Sequence, residues 1–218
     1  MRHGVRRDAG QAFPLYIVAV AGLLFLAFAF FAVGQAAATR NGAQTAADAA
    51  ALGAAQSYRD DVHRALRKAI EGADSWDDLL KAMGAPTDTA CRSAQWFAGK
   101  NDADVTACTP DSWPTSFAVA VTTRGTVGRS IVPGTENTHA SAHAQAVVTP
   151  RCTVRPGQDD PGNGKPGSGK PGNGKPGKDK PGNGKIDLLC DGEPLTLDPG
   201  HLDPFPGPAA FFAVRLAR

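Results

Sequence analysis

Between residues 13 and 38 the chain has no charged side chain. A surface helix of a soluble domain keeps one polar face for water, so that absence excludes one. Residues 13–33 are almost entirely apolar. Roughly 20 such residues in a helix cross the hydrocarbon core of a bilayer. No glutamate occurs before Glu71. No C-x-x-C spacing joins the four cysteines, and few histidines accompany them, which argues against a zinc site. A G-x-S-x-G, P-loop, H-E-x-x-H or Rossmann fingerprint is likewise missing. Nothing orders Ser, His and Asp into a triad. The expectation is a chain with no catalytic residue, no cofactor and no metal.

What is present sets compartment and topology. Arg2, Arg6 and Arg7 precede the apolar run, opposed only by Asp8. Arg40 is the only basic residue beyond it until Arg59. The positive-inside rule then puts the N-terminus in the cytoplasm and the chain after about residue 38 outside. Ala36, Ala37 and Ala38 offer the small residues that a signal peptidase accepts. The apolar run exceeds the roughly 7–15 residues of a signal h-region, which favours an uncleaved anchor in the cell membrane over a domain released after Ala38. Cys91, Cys108, Cys152 and Cys190 all follow the run, an even number suited to an oxidising compartment. Three pairings are open, the simplest being Cys91–Cys108 with Cys152–Cys190, and free structural thiols are the alternative.

The formal net charge of +2 is a misleading average. Residues 161–185 hold six Lys and one Asp, while the rest of the chain carries 17 basic and 20 acidic residues. The basic character is therefore local, and no nucleic-acid footprint is expected. Those 25 residues are five pentamers, PGNGK, PGSGK, PGNGK, PGKDK and PGNGK, with no apolar side chain besides Pro. Such a segment cannot bury enough surface to offset the entropy of ordering it. Lys165, Lys170, Lys175, Lys178, Lys180 and Lys185 are candidates for contact with an anionic wall polymer or lipid headgroups. The plainer reading is a soluble spacer.

The fold class expected is α+β. A cytoplasmic N-terminus (1–12) leads into a transmembrane helix (13–38), and an Ala-rich, then amphipathic helix follows (39–72). A small disulfide-stabilised α+β region (73–155), a disordered repeat linker (156–185) and a C-terminal segment returning to the sheet (186–218) complete the chain. Gly34, Ala38, Gly42, Ala46, Ala50 and Ala54 recur every fourth residue and suggest a ridge for a partner helix. Eleven of residues 36–55 are Ala, so composition alone can produce such a row. Tyr58, Val62, Leu66 and Ile70 continue the helix as an amphipathic face. Gly72 is read as its stop. Ser75 is read as the cap of a short helix over 76–83, and Gly99 as the C-cap of another over about 89–98. Residues 116–123 alternate as a strand with Phe117, Val119 and Val121 on one face. Residues 139–148 alternate as a second strand with a small-residue inner face, and 211–216 suit a third. His139 and His143 have metal-ligand spacing for a helix, but in a strand both face solvent. Asp60 with Asp61, and Asp77 with Asp78, read as solvated helix surface.

The residues just described resemble TadE/TadG-like proteins of Flp (tight-adherence) pilus systems. The resemblance begins at Arg7, Asp8, Ala9, Gly10, Gln11 and Ala12. It is strongest at Gln44, Thr45, Ala46, Ala47, Asp48, Ala49, Ala50, Ala51 and Leu52, which look like the A-A-D-A-A-A-L run after the transmembrane helix of that family. It covers about residues 6–56. A looser likeness, through a turn over 101–108 and the strands after it, extends to about 150. The Ala/Gly richness suggests a high-GC actinobacterial source by composition only. The resemblance implies a non-catalytic pilus-assembly or minor pilin-like protein held by one helix, touching another membrane or pilus protein. Some relatives are cleaved by a prepilin peptidase after a Gly, with a Glu five residues into the mature chain. Gly10 places Leu15 there, and Pro14 lies beside it, so the chain looks like an unprocessed, TadG-like member. The alternative function is a wall-associated adhesin using the lysine insert.

Overall fold

The computed structural model describes residues 12–112, 115–126, 128, 136–155 and 184–217. One helix, α1, runs unbroken over Ala12–Gly72. At 1.5 Å per residue its 61 residues are about 90 Å long. Pro14 lies in its first turn, where a missing N–H breaks no bond. Interior glycines at 22, 34, 42 and 53 are offset by the many alanines. The helix stops in a Schellman arrangement. Ala73 takes the left-handed conformation at φ 54, its N–H donates to Ile70 O, and the Asp74 N–H donates to Ala69 O.

The next two helices correct the expected caps. α2 is one turn, Asp77–Leu80, preceded by Trp76 with no side-chain cap, so Ser75 does not cap it. α3 spans Asp88–Lys100 and passes through Gly99. Its end is closed by Asn101, whose Nδ2 donates to Phe97 O at 2.8 Å, before Asp102 turns left-handed at φ 52. A side-chain amide and an aspartate supply what a glycine cap was expected to supply.

Four antiparallel strands form the main sheet in the order β1-β2-β3-β7: β1 Ala103–Ser112, β2 Thr115–Thr126, β3 His139–Pro150 and β7 Phe212–Leu216. β1 occupies the segment read as a turn over 101–108. It is an edge strand with a register shift between Val105 and Ala107, and Pro110 sits in it as edge strands allow. Phe117, Val119 and Val121 of β2 lie opposite Ala146, Ala144 and Ala142 of β3. Those large and small side chains form the inner face. β7 pairs with the last five residues of β3, and Phe211 belongs to the preceding turn, α4, Pro208–Phe211.

A second sheet was not expected. β4 Cys152–Val154, β5 Ile186–Cys190 and β6 Glu193–Leu197 pair antiparallel. Asp191 (φ 50) and Gly192 (φ 90) make the two-residue turn between β5 and β6. The disulfides are Cys91–Cys108, joining α3 to β1, and Cys152–Cys190, joining β4 to β5. Residues 156–183, most of the repeat insert included, lie outside the described residues.

Both α1 and α3 pack on the sheet and on each other. One core joins the alanines of α1 from Ala46 onward, Tyr58, Val62 and Leu66, the inner face of the sheet, Leu188 and Leu197 of the second sheet, and Phe211 and Phe212. The fold is thus an α+β domain built around the distal half of a helix whose proximal half projects from it.

Candidate functional site on the projecting helix

The large apolar side chains from Phe13 to Val33 are exposed except for the half-buried Val20, most of them by more than half. No side chain in the most apolar stretch is buried within the chain. Burial begins at Ala43. The proximal segment is a candidate transmembrane helix, long and apolar enough to cross a bilayer. A disulfide-bonded domain on such a helix fits a membrane-anchored protein. Arg2, Arg6 and Arg7, which set the expected orientation, lie outside the described residues.

The proposed packing ridge divides. Gly34, Ala38 and Gly42 are exposed, and neither glycine has another atom near its missing Cβ. Ala46, Ala50 and Ala54 are fully buried in the chain's own core. Position along the axis gives the reason. Residues 34–42 are exposed on all faces apart from the half-buried Thr39, and the domain first covers the helix at Ala43. Gly34, Ala38 and Gly42 therefore lie on the projecting half, and Ala46, Ala50 and Ala54 lie where the sheet and α3 pack. A partner helix can reach only its first half.

The family-like run is mostly domain core. Ala46, Ala47, Ala50 and Ala51 are buried, which lets α3 and the sheet approach the helix backbone closely. Gly53 shows how closely. A Cβ there would lie 2.1 Å from Cδ2 of Phe97. Ser93 Oγ donates to Gly53 O at 3.1 Å. Ala49 is partly buried, and Leu52 packs on the core beside Val147 and Leu216. Gln44 ties helix to sheet. Its Nε2 donates to Asp48 Oδ1 at 2.8 Å and to His143 O of β3 at 3.3 Å.

Other polar groups are arranged as ordinary structure. Two hydrogen bonds from Arg124, at 2.7 and 3.0 Å, hold Asp104 below the usual carboxylate range. Both are exposed, so the pair adds little stability. Asp61 accepts from Thr89, and Asp77 pairs with Lys81. Burial pushes the phenol of Tyr58 up, and its hydroxyl donates to Ala82 O at 3.2 Å. A cleft of about 330 Å³ opens beside it, lined by Tyr58, Met83, Ala85 and Thr115 among others. His139 and His143 are exposed on β3, where four residues span about 13 Å, too far for one ion. Among the described residues no group of three His, Cys, Asp or Glu is placed to hold a metal. Lys165, Lys170, Lys175, Lys178 and Lys180 lie outside the described residues, and Lys185 is exposed just before β5.

Residues 10–57 match the model of the Tad family, described as "Putative Flp pilus-assembly TadE/G-like". This segment is thus similar to a TadE/G-like Flp pilus-assembly domain. Comparison with curated proteins and with solved structures gave no match. The TadE/G-like segment covers the apolar half of α1 and the first buried turns beyond it. It stops before Tyr58, so the looser likeness to about residue 150 lies outside the match. The match also does not bear on the source of the chain.

Proposed function

We propose that the chain is a non-catalytic, single-pass assembly or minor pilin-like component of a Flp-type system, with its N-terminus in the cytoplasm and its domain outside. One observation carries this reading. From Ala12 onward the TadE/G-like segment is a single uninterrupted helix, apolar and exposed at one end and built into a folded core at the other. A helix continuous from lipid to core holds the domain at a set height and rotation over the membrane, as a scaffold requires and a soluble enzyme does not. The exposed residues Gly34, Ala38 and Gly42 offer a neighbouring transmembrane helix close approach. The N-terminus is retained, because the apolar run is long and no Glu follows Gly10 at the expected distance.

The test is removal of the chain from a strain that makes Flp-type pili, with restoration by the full chain. Loss of pili in electron micrographs and their return on complementation are expected. Normal pili in the deletion strain would refute the assembly reading. A reporter active only outside the cytoplasm, fused after residue 218, tests the orientation separately.

A further inference from the structure

β7 lies at one edge of the main sheet. Its pairing with β3 fixes which of its backbone groups stay open. The Ala217 N–H donates to Gln145 O at 2.7 Å, and the Arg151 N–H donates to Phe211 O at 2.8 Å. Residues 211, 213, 215 and 217 therefore turn their N–H and C=O toward β3. Phe212, Val214 and Leu216 turn theirs the other way. The Phe212 N–H is taken up by Pro208 O. The backbone groups of Val214 and Leu216 meet no hydrogen-bond partner on that side among the described residues. Two residues apart on an extended strand, they repeat at about 7 Å, the spacing that an antiparallel neighbour presents.

Sheet edges are ordinarily blunted against further pairing. The other edges here are. β1 has a register shift and Pro110, β6 has Pro194, and β4 is three residues long. β7 has an unbroken register and no Pro. Beside it, Leu52 of α1 with Val147, Arg215, Leu216 and Ala217 lines an open groove of about 820 Å³. The two faces of this edge differ in chemistry. Val214 and Leu216 pack against the core, while Arg215, on the opposite face of the strand, is exposed. Arg215 makes no ion pair among the described residues. A strand added here meets apolar surface on one face and an unpaired cation on the other.

We infer that the open edge of β7 takes an additional antiparallel strand from another protein, with apolar residues opposite Val214 and Leu216 and a carboxylate opposite Arg215. Main-chain bonds hold such a strand, and its alternate side chains select it. The charge of Arg215 calls for the carboxylate. A second copy of this chain does not fit. Pairing that uses both Val214 and Leu216 of two copies sets one Arg215 directly opposite the other, and like charges so placed are destabilising. The test uses the full chain in detergent, with its disulfides intact, and a fluorescent, end-blocked peptide Thr-Val-Glu-Val-Thr, read by anisotropy. Saturable binding is expected. N-methylation of both peptide valines removes the donors that face the edge and should weaken binding by roughly fivefold or more, for two lost hydrogen bonds. Arg215→Glu, an exposed change that leaves the packing of β7 intact, should weaken binding by roughly 2–5-fold, the range of an exposed ion pair. A peptide with Lys in place of Glu should then prefer the Arg215→Glu chain. No saturable binding, or binding that ignores either the N-methyl groups or the charge exchange, overturns the inference. So does a dimer of the full chain that Val214→Pro dissociates, which would assign the edge to a second copy. The anchor and the assembly reading stand in each case.

Discussion

Gly53 and Gly42 lie on the same helix, and the same substitution should have opposite effects on them. Gly→Ala inside a helix gains about 0.5–1 kcal/mol when nothing else changes. Gly42 meets that condition, since its Cβ position has open space around it. Gly53 does not. Its Cβ would sit 2.1, 2.7 and 2.9 Å from three atoms of the Phe97 ring. That ring also makes an edge contact with Trp96 at 4.7 Å, so moving it disturbs the packing of α3. Overpacking of this kind costs about 1–3 kcal/mol. Gly42→Ala should therefore raise stability, while Gly53→Ala should fall below it by about 1–3 kcal/mol. In a domain of this size each kcal/mol is about 2–4 °C of melting temperature. The assay is thermal unfolding of the detergent-solubilised chain, followed by near-ultraviolet circular dichroism. Adding Phe97→Ala should abolish the penalty of Ala at 53, which a double-mutant cycle reads as coupling. Equal stabilisation by Gly42→Ala and Gly53→Ala would show that α3 does not lie against α1 as described.

Further outcomes follow from burial, the disulfides and the Tyr58 environment. Ala46→Leu should destabilise the domain by about 1–3 kcal/mol in the isolated protein, because Ala46 is fully buried; Ala38→Leu should leave the melt unchanged and lower crosslinking to a neighbouring helix. Replacing Cys152 and Cys190 together by Ser should cost about 3–4 kcal/mol, from the 38-residue separation they close. Deleting residues 161–185 with the bond intact should leave a cooperative melt, since loop length enters only logarithmically. For Tyr58, burial raises the folded pKa above the ordinary 10.0. The folded state then holds the proton more tightly, so stability is intact below about pH 10 and falls as pH rises toward the folded value. Tyr58→Phe should cost about 0.5–1.5 kcal/mol at pH 8, since Ala82 O keeps its bond from Thr115, and should flatten the alkaline slope in denaturant titrations. An unchanged slope would mean that another group titrates.

Much of the fold is readable locally. β2 and β3 announce themselves by alternation, because each has one face on the core and one toward water. β1 does not. Its register shift between Val105 and Ala107 breaks the period of two, and as an edge strand it buries little. The second sheet has one local sign in the sequence, the Asp191-Gly192 turn between two short apolar runs. Three-residue β4 has no periodicity to read, and it is a strand through its pairing with β5, in which Cys152 lies opposite Cys190. The helix caps differ from those expected for a related reason. Ser75 and Gly99 are of the right residue types, but the chain path placed Trp76 and Asn101 at the helix ends instead.

The apolar span, the continuous helix and the absence of catalytic motifs are properties of neighbouring residues, and the linear chain determined them by itself. Which part of the Gly/Ala ridge stays open to a partner is not local. It depends on where along the helix the sheet and α3 begin to cover it, at Ala43. The level of β3 along α1 is likewise marked by one bond from Gln44 to His143, across 99 residues of chain. Tertiary structure alone decided those two features, because each compares positions that only folding brings side by side.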